Sequence, residues 1–293
     1  MIRGRIIKAL SGFYYVKTED GNILTCKARG KFRLDGTSPL VGDTVVCSRD
    51  SAGNGRIDTV DERKNWFVRP AVANIDTLVF VAANTNPVTD PFLIDRVSVI
   101  AHEADCEQIV CINKTDVDPG NDIFAVFSDA GFTVVRTSAE TGDGCAELLS
   151  KLKGKTCAFT GNSGVGKSSI LNILMPGANI ETGDVSQRLG RGKHTTRHVE
   201  LYELGGNTYI ADTPGFASFD IRMMQTIAKE DLQYDFVDFS PYLGKCRFAD
   251  CAHLKEPDCC ITAAVAEGKI SRSRYGSYEK LYQLCAQHNF WEE

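Results

Sequence analysis

The chain has 293 residues, of which 43% are hydrophobic and 24% charged, and its formal net charge is −5. No apolar run reaches the roughly 18 residues of a membrane-spanning helix, and the stretch MIRGRIIKALSGFYY has neither the apolar core nor the cleavage site of a secretory signal. We therefore expect a cytoplasmic, monomeric protein of two or three domains, at roughly 100 to 200 residues for each domain.

The charge is unevenly distributed along the chain. Residues 1–65 contain 12 Lys and Arg against 8 Asp and Glu, a balance of +4, which leaves −9 for the remainder. A basic segment ahead of an acidic remainder favours a polyanionic partner that is met by the N-terminal part.

Short runs that alternate apolar and polar residues fill the first 65 positions, separated by Gly, Asp and Asn. This spacing predicts five short antiparallel strands and therefore a small β-barrel. From about residue 70, apolar strand-like runs alternate with helix-like stretches, which predicts a parallel sheet with crossover helices. The runs VELYEL and NTYIAD, joined by GG, predict a hairpin at 199–212.

After about residue 217 the chain becomes polar and helix-like and contains a cysteine-rich loop. We therefore predict three domains: a barrel at 1–65, an α/β domain at 66–217 and a mostly helical domain at 218–293.

A phosphate-binding motif lies between the run KTCAF and the helix-like SSILNILM. The glycines of such a loop let backbone N–H groups wrap the phosphates at a helix N-terminus, Lys167 reaches the β- and γ-phosphate oxygens, and Ser168 binds Mg²⁺. The strand before it and the helix after it are the context that the motif requires. The predicted loop residues are Gly161, Asn162, Ser163, Gly164, Val165, Gly166, Lys167, Ser168 and Ser169.

A second motif, NKTD, follows the strand-like run EQIVCI. The carboxylate of Asp116 can accept hydrogen bonds from the ring N–H and the exocyclic amine of guanine, whereas adenine presents an acceptor there, which disfavours an ATPase. Alone, NKTD is equally a polar turn, but the TSA segment at 137–139 and the DTPG segment at 212–215 resemble the second base loop and the γ-phosphate loop of GTPases. The predicted contacts in these segments are Asn113, Lys114, Thr115, Asp116, Ser138, Ala139, Asp212 and Gly215.

With the first switch expected at 189–200, the motifs occur in the order base, base, phosphate, switch, switch, whereas an ordinary GTPase domain begins with the phosphate loop. Ligands of open parallel sheets bind beyond the carboxyl ends of the strands, and those ends keep their places when the old termini are joined and the chain is cut elsewhere. The sequence therefore predicts a circularly permuted GTPase domain, whose γ-phosphate loop leads almost directly into the C-terminal domain.

The residues for hydrolysis are less clearly marked. Ras-like proteins place after the DxxG glycine a glutamine that orients the attacking water, but this chain has Phe216. The segment LGRGKHTTRHVE at 189–200 corresponds to the first switch, where Thr196 or Thr195 would join Ser168 and Asp212 at Mg²⁺. His194 either orients or deprotonates the water or is a solvated loop histidine, and Lys167 would assist at the phosphates.

Four of the eleven cysteines crowd between residues 246 and 260, and the other seven are scattered and predicted to be free thiols. Cys246, Cys251, His253 and Cys259 offer three thiols and one imidazole, the ligand set of a tetrahedral structural zinc site. Cys260 is the alternative to Cys259 as the last ligand.

The motifs together resemble a family of circularly permuted bacterial GTPases of small ribosomal subunit maturation, called RsgA or YjeQ. The resemblance covers nearly the whole chain. It is carried by PLVGD at 39–43, NKTD, GNSGVGKSS, GRGKHTT, DTPGF, CRFADCAHLKEPDC and RYGSYEKLY at 274–282.

The resemblance implies an OB-fold barrel that contacts ribosomal RNA, a central permuted GTPase domain and a C-terminal zinc domain. It also implies GTP hydrolysis that is stimulated by the small (30S) subunit and coupled to release, with His194 as a catalytic candidate. Phe13, Tyr14 and Tyr15 suit an RNA-stacking surface, although barrel core is the preferred interpretation. Near the end, Lys269, Arg272 and Arg274 are either further RNA contacts or a solvated helix face.

Two hypotheses of different class follow. The first is a Mg²⁺-dependent GTPase that acts as an assembly factor on the small subunit and its 16S-type rRNA. The second, the alternative, is a GTP-controlled RNA-binding or scaffold protein with little turnover, which the apolar Phe216 leaves open. Phosphate release measured with and without small subunits separates them.

Overall fold

The structure is a computed structural model that describes residues 1–30, 32, 38–50, 53–68, 70–177, 180, 199–212 and 227–287. The chain forms two compact units, each contributed by three segments. The first comprises Met1–Leu78, Ser150–Phe159 and Asp184–Ala217, and the second comprises Val79–Leu149, Thr160–Gly183 and Ser218–Glu293. None of the helices that the structure describes combines the length and the hydropathy of a membrane span.

The described strands, in chain order, are β1 (Ile2–Leu10), β2 (Phe13–Thr18), β3 (Ile23–Ala28), β4 (Thr44–Arg49), β5 (Gly55–Val60), β6 (Trp66–Phe67), β7 (Val72–Ala73), β8 (Thr77–Ala82), β9 (Glu107–Ile112), β10 (Thr133–Arg136), β11 (Thr156–Thr160), β12 (Glu200–Gly205) and β13 (Thr208–Asp212). The described helices are α1 (Pro91–Glu103), α2 (Asn121–Asp129), α3 (Cys145–Leu152), α4 (Lys167–Leu174), α5 (Leu232–Asp235), a 3₁₀ turn (Val237–Phe239), α6 (Cys260–Ala266) and α7 (Arg272–Ala286).

The N-terminal strands close into the predicted five-stranded barrel. They follow the order β1-β2-β3-β5-β4, and β4 returns to pair with β1. Alternate residues point inward because successive side chains of a strand face opposite sides. The barrel core is therefore filled by Ile6, Val16, Leu24, Cys26, Val45, Cys47 and Ile57.

One strand pairing of the barrel differs from the sequence prediction, which had every pair antiparallel. Strand β3 runs parallel to β5, with Cys26 opposite Gly55, while the other four pairs are antiparallel. The reason is geometric, because strands in a closed ring can alternate in direction all the way round only if their number is even. A ring of five must contain at least one parallel pair.

The aromatic trio at the start of β2 is not barrel core, so the preferred interpretation was wrong. Phe13 is 39% exposed and Tyr14 and Tyr15 are half-buried. The inward position of this strand is taken by Val16, which is fully buried. The Lys27 ammonium lies 4.9 Å from the centre of the Phe13 ring, which leaves an aromatic and a cation together at the surface.

The predicted hairpin at 199–212 is confirmed and belongs to the same unit as the barrel. Strands β12 and β13 are antiparallel, and β13 runs parallel to β11. Barrel strand β1 pairs with β12 at Lys8 and Glu200, whose side chains form an ion pair of 2.8 Å. A second ion pair, between Lys17 and Glu203, also links the barrel to the hairpin.

The second unit contains the strands that precede the two predicted base-contacting segments. Its strands follow the order β10-β9-β8, and β9 and β10 are parallel. Every residue of β8 is buried, as expected of a strand that is covered on both faces. Helix α1 begins at Pro91, and the preceding Asp90 caps it by accepting a hydrogen bond from the Phe92 N–H.

Arg274 is fully buried. It is therefore neither available to RNA nor part of a solvated helix face. Its guanidinium donates to Asp95 at 2.6 Å and to both oxygens of Asp238 at 2.7 and 2.9 Å. Phe132 and Phe236 lie against it, with ring centres 5.0 and 5.1 Å away. Arg272, by contrast, is exposed on the same helix. Arg274 therefore joins helix α7 to helix α1 through a buried ionic network.

Candidate nucleotide site and metal centre

The phosphate loop connects the end of β11 to the start of α4. Three of its glycines have positive φ values, Gly161 at 130°, Gly164 at 81° and Gly166 at 96°. A Cβ at Gly161 would overlap the backbone carbonyl oxygen of Val81. A Cβ at Gly166 would overlap the side-chain amide nitrogen of Asn113. These two positions therefore require glycine for conformation and for space.

Lys167 is the first residue of α4 and turns back over the loop. Its ammonium donates to the carbonyl oxygens of Gly161 at 2.6 Å and Asn162 at 2.7 Å. Burial lowers the pKa of Lys167 to about 8, because the charged form is poorly solvated there. A phosphate group would compensate this buried charge, so the loop is arranged for a polyanion.

The NKTD segment follows β9 and is held by its own side chains. Lys114 has a φ of 64°, and its ammonium donates to the carbonyl of Asn86 at 2.6 Å. The Thr115 hydroxyl donates to the Thr137 carbonyl at 2.9 Å. The Ser138 hydroxyl donates to the Asp116 carboxylate at 2.6 Å, which fixes one oxygen of the predicted guanine reader.

Asn113 joins the three loops of the candidate site. Its side-chain amide nitrogen donates to the carbonyl of Val165 in the phosphate loop at 2.8 Å. Its amide oxygen accepts from the backbone N–H of Ala139, in the TSA segment, at 3.0 Å. Asn113 is itself buried, so its contact with Val165 is shielded from water, while the contact with Ala139 is part-buried. Loops that are 26 and 52 residues away in the chain are therefore both bonded to this one side chain.

Sequence reasoning missed Asn86 and Pro87, which line the same site. Asn86 accepts the Lys114 hydrogen bond, and the Pro87 ring lies next to Gly164, 3.2 Å from where a Cβ on that glycine would be. An Asn-Pro dipeptide is a recognisable turn signal. It lies between β8 and α1, at the carboxyl end of a strand, and that position could have identified it as part of the site.

Several predicted residues lie outside the described part of the chain: His194, Thr195, Thr196, Gly215 and Phe216. Asp212 is the last residue of β13 and pairs with Glu200 in the hairpin. Ser168 and Ser169 lie half-buried in the first turn of α4. Ser168 is therefore at the helix end where a Mg²⁺ ion beside phosphates would be held.

The four predicted zinc ligands lie together in the second unit. The ligand atoms of Cys246, Cys251, His253 and Cys259 are all within 4.8 Å of one another. The Cys246 and Cys259 sulfurs are 4.0 Å apart, and His253 Nδ1 lies 3.5 and 3.4 Å from them. Tetrahedral zinc with bonds of about 2.3 Å to sulfur would separate two sulfurs by about 3.8 Å. The donor set and its spacing therefore fit zinc.

Cys260 points away from this cluster. Its thiol lies 2.8 Å from the Lys245 carbonyl, and its backbone N–H donates to the Cys246 sulfur at 3.4 Å. Cys259 thus lies within the cluster, whereas Cys260 begins helix α6. All eleven cysteines are free thiols, as predicted for the scattered seven.

The chain matches two family models. Residues 60–222 match the RsgA GTPase model, and residues 3–57 match the RsgA N-terminal domain. The small ribosomal subunit biogenesis GTPase RsgA of Caldanaerobacter subterraneus subsp. tengcongensis is 44% identical over 280 residues, which cover 94% of this chain and 93% of that protein. The protein of the same name from Bacillus cereus is 42% identical, with 97% of each chain covered.

Two solved structures have the same fold. YjeQ from Thermotoga maritima is 35% identical with a TM-score of 0.83, and covers 98% of this chain and 99% of its own. YloQ, described as a circularly permuted GTPase, is 34% identical with a TM-score of 0.80, and covers 98% of this chain and 96% of its own. The predicted barrel and permuted nucleotide domain are thereby confirmed. The chain belongs to the RsgA family of circularly permuted GTPases.

Proposed function

We propose that this chain is an assembly factor of the small ribosomal subunit whose GTP hydrolysis is stimulated by the subunit and coupled to its release. The chain is a GTPase, which converts GTP and water to GDP and phosphate. Its curated relatives carry the name small ribosomal subunit biogenesis GTPase. One structural observation supports the proposal: Asn113 of the NKTD segment is hydrogen-bonded both to the phosphate loop and to the TSA segment.

The proposed nucleotide contacts follow from the chemistry of each loop. Asp116 would accept from the guanine N–H groups while Ser138 holds its other side, and the backbone N–H of Ala139 would border the base. The phosphate loop would wrap the β- and γ-phosphates through backbone N–H groups and Lys167. Mg²⁺ would be held by Ser168, Asp212 and Thr196 or Thr195, and would neutralise the phosphate oxygens.

We propose that His194 orients or deprotonates the attacking water. The position after Gly215 holds Phe216, whose ring has no group that could do so. Intrinsic hydrolysis should therefore be slow, and the subunit would act by placing His194. Arg191, Lys193 and Arg197 in the same segment would contact phosphate or the partner.

The barrel is the proposed RNA-binding domain, at residues 1–65, ahead of a GTPase domain at 66–217 and a zinc domain at 218–293. Support comes from its +4 charge balance and from the exposed pair of Phe13 and Lys27. An aromatic ring beside a cation suits single-stranded RNA, because the ring can stack on a base while the cation meets a phosphate. Since the small subunit is cytoplasmic, we place the protein in the cytoplasm.

The Cys246, Cys251, His253 and Cys259 cluster is proposed to hold one structural zinc ion. All four ligand positions would be filled by protein groups, so no position would remain for a substrate. Zinc would stabilise the cysteine-rich loop and the helices that pack on it.

Subunit stimulation is tested by phosphate release from GTP with and without purified small subunits. We expect at least a tenfold increase with small subunits and no increase with large subunits, which serve as the control. GTP-dependent binding to the subunit without faster turnover would overturn the assembly GTPase proposal in favour of a scaffold.

The zinc site is tested by metal analysis of the purified chain. We expect about one equivalent of zinc in the wild type and its loss in Cys251→Ser, with Cys260→Ser unchanged as the control. Less than half an equivalent in the wild type would reject the site.

A further inference from the structure

The imidazole of His253 is held from both edges. Its Nδ1 atom faces the sulfurs of Cys246 and Cys259 at 3.5 and 3.4 Å. Its Nε2 atom lies 2.9 Å from the side-chain oxygen of Gln233, on helix α5. A neutral imidazole carries one proton on one of these nitrogens, and the nitrogen without it offers the lone pair to a metal.

The orientation of the Gln233 amide is set by a second contact. Its side-chain nitrogen donates to the carbonyl oxygen of Glu230 at 2.8 Å. A carbonyl can only accept, so the NH₂ end of the amide must point to Glu230 and the oxygen end to His253. The oxygen in turn can only accept, which requires the proton of the imidazole to be on Nε2.

Helix α5 is fixed by the residues on either side of Gln233. Leu232 is fully buried, and Asp235 forms a 2.8 Å contact with His102 of helix α1. The backbone next to the imidazole is also held, because the Tyr275 hydroxyl donates to the His253 carbonyl at 2.8 Å and the Tyr278 hydroxyl donates to the Ala252 carbonyl at 3.0 Å. Both partners of the Gln233–His253 hydrogen bond are therefore held by contacts outside the four candidate ligands.

We propose that Gln233 is the positioning residue of the metal centre: it holds the proton of His253 on Nε2 and thereby directs the Nδ1 lone pair at the three cysteine sulfurs. Outer hydrogen bonds of this kind orient metal-binding histidines and increase their basicity. The inference rests on the zinc site proposed above. It assigns to helix α5, which follows the γ-phosphate segment in the chain, a direct part in forming that site.

The test compares zinc affinities by equilibrium competition with a chromogenic chelator at pH 7.5. Gln233→Leu removes the acceptor at similar size, and we expect zinc affinity to fall by about 10 to 100-fold. Gln233→Glu keeps an acceptor for the Nε2–H group and should stay within threefold of the wild type. The matched control is Gln283→Leu, an exposed position of helix α7, which should leave the affinity unchanged.

A second measurement determines which nitrogen of His253 is protonated in the wild type. In ¹⁵N-histidine-labelled, zinc-loaded protein, we expect the nitrogen shifts of His253 to show a metal-bound Nδ1 and a protonated Nε2. A metal-bound Nε2, or a Gln233→Leu variant with wild-type zinc affinity, would overturn the inference. Absence of zinc binding by the wild type would instead reject the zinc site itself.

Discussion

The side chain of Asn113 donates to the carbonyl of Val165 at 2.8 Å, which bonds the base-reading loop to the phosphate loop. Because the same side chain also accepts from Ala139, a single residue fixes the spacing between the base and phosphate ends of the site. In the permuted chain these loops have no short covalent connection, so their relative position depends on such contacts.

Replacement of Asn113 by alanine should therefore weaken GTP binding at least tenfold. The buried Val165 carbonyl would lose its partner at a cost of about 1 to 3 kcal/mol, and the part-buried Ala139 N–H would lose its partner at a smaller cost. Titration with a fluorescent GTP analogue measures the effect. Asn54→Ala, in an exposed turn of the barrel, is the control, and equal affinities for the two variants would contradict the bonding role.

Asp116→Asn should lower GTP affinity at least 100-fold and raise affinity for xanthosine triphosphate. An amide in place of the carboxylate presents a donor to the guanine amine but can donate to the 2-oxo group of xanthine. Competition titrations with GTP, ATP and xanthosine triphosphate test this. If the variant kept its preference for GTP over ATP, Asp116 would not be the base reader.

The pKa of Lys167, lowered by burial to about 8, gives GTP binding a pH dependence. Bound phosphates favour the ammonium form, so above pH 8 the neutral amine of the free protein must take up a proton when GTP binds. Between pH 7 and pH 9 we expect the affinity to fall by about tenfold. Lys167→Arg stays charged throughout, so its affinity, although weaker, should not show this fall. A flat profile for the wild type would contradict the assignment.

Hydrolysis should be at least tenfold slower in His194→Ala, with GTP affinity unchanged, because a general base or water-orienting group acts only in the chemical step. Single-turnover phosphate release in the presence of small subunits measures the rate. His198→Ala changes another histidine of the same segment and should keep the wild-type rate. An undiminished rate in His194→Ala would exclude the proposed role.

Arg274→Leu should lower the free energy of unfolding by about 3 to 5 kcal/mol, because Asp95 and Asp238 would be left buried without their cation. Burial already raises the pKa of Asp95 to about 7, an effect that the Arg274 charge opposes. Denaturant unfolding measures the loss. Arg272→Leu, exposed on the same helix, should change stability by less than about 1 kcal/mol; similar losses in both variants would argue against the network.

Arg274 also shows where sequence reasoning fails. In the sequence it is one of several basic residues near the C-terminus, and its two acidic partners lie 36 and 179 positions away. Nothing local distinguishes a buried arginine from an exposed one. The same holds for Gln233, whose significance depends on a histidine 20 residues later and on a helix that brings them together.

The motifs with fixed spacing were the parts that the sequence could predict. The four members of the Cys/His cluster lie within one short loop, and the barrel strands follow from alternation over neighbouring residues, because both depend on local geometry. The parallel β3–β5 pair was missed, since alternation specifies which face of a strand is buried but not the direction of its neighbour. Phe13 was misjudged for a related reason, because an aromatic residue near a strand end suits either face.

The pairing of Lys8 with Glu200 has a consequence for how RNA could influence the nucleotide. The segment predicted to be the first switch ends where β12 begins, and the γ-phosphate segment starts where β13 ends. Both segments are therefore connected in the chain to one hairpin. That hairpin pairs with barrel strand β1. If the barrel binds RNA as proposed, we expect that contact to act through strand β1 on the hairpin to which both segments are connected.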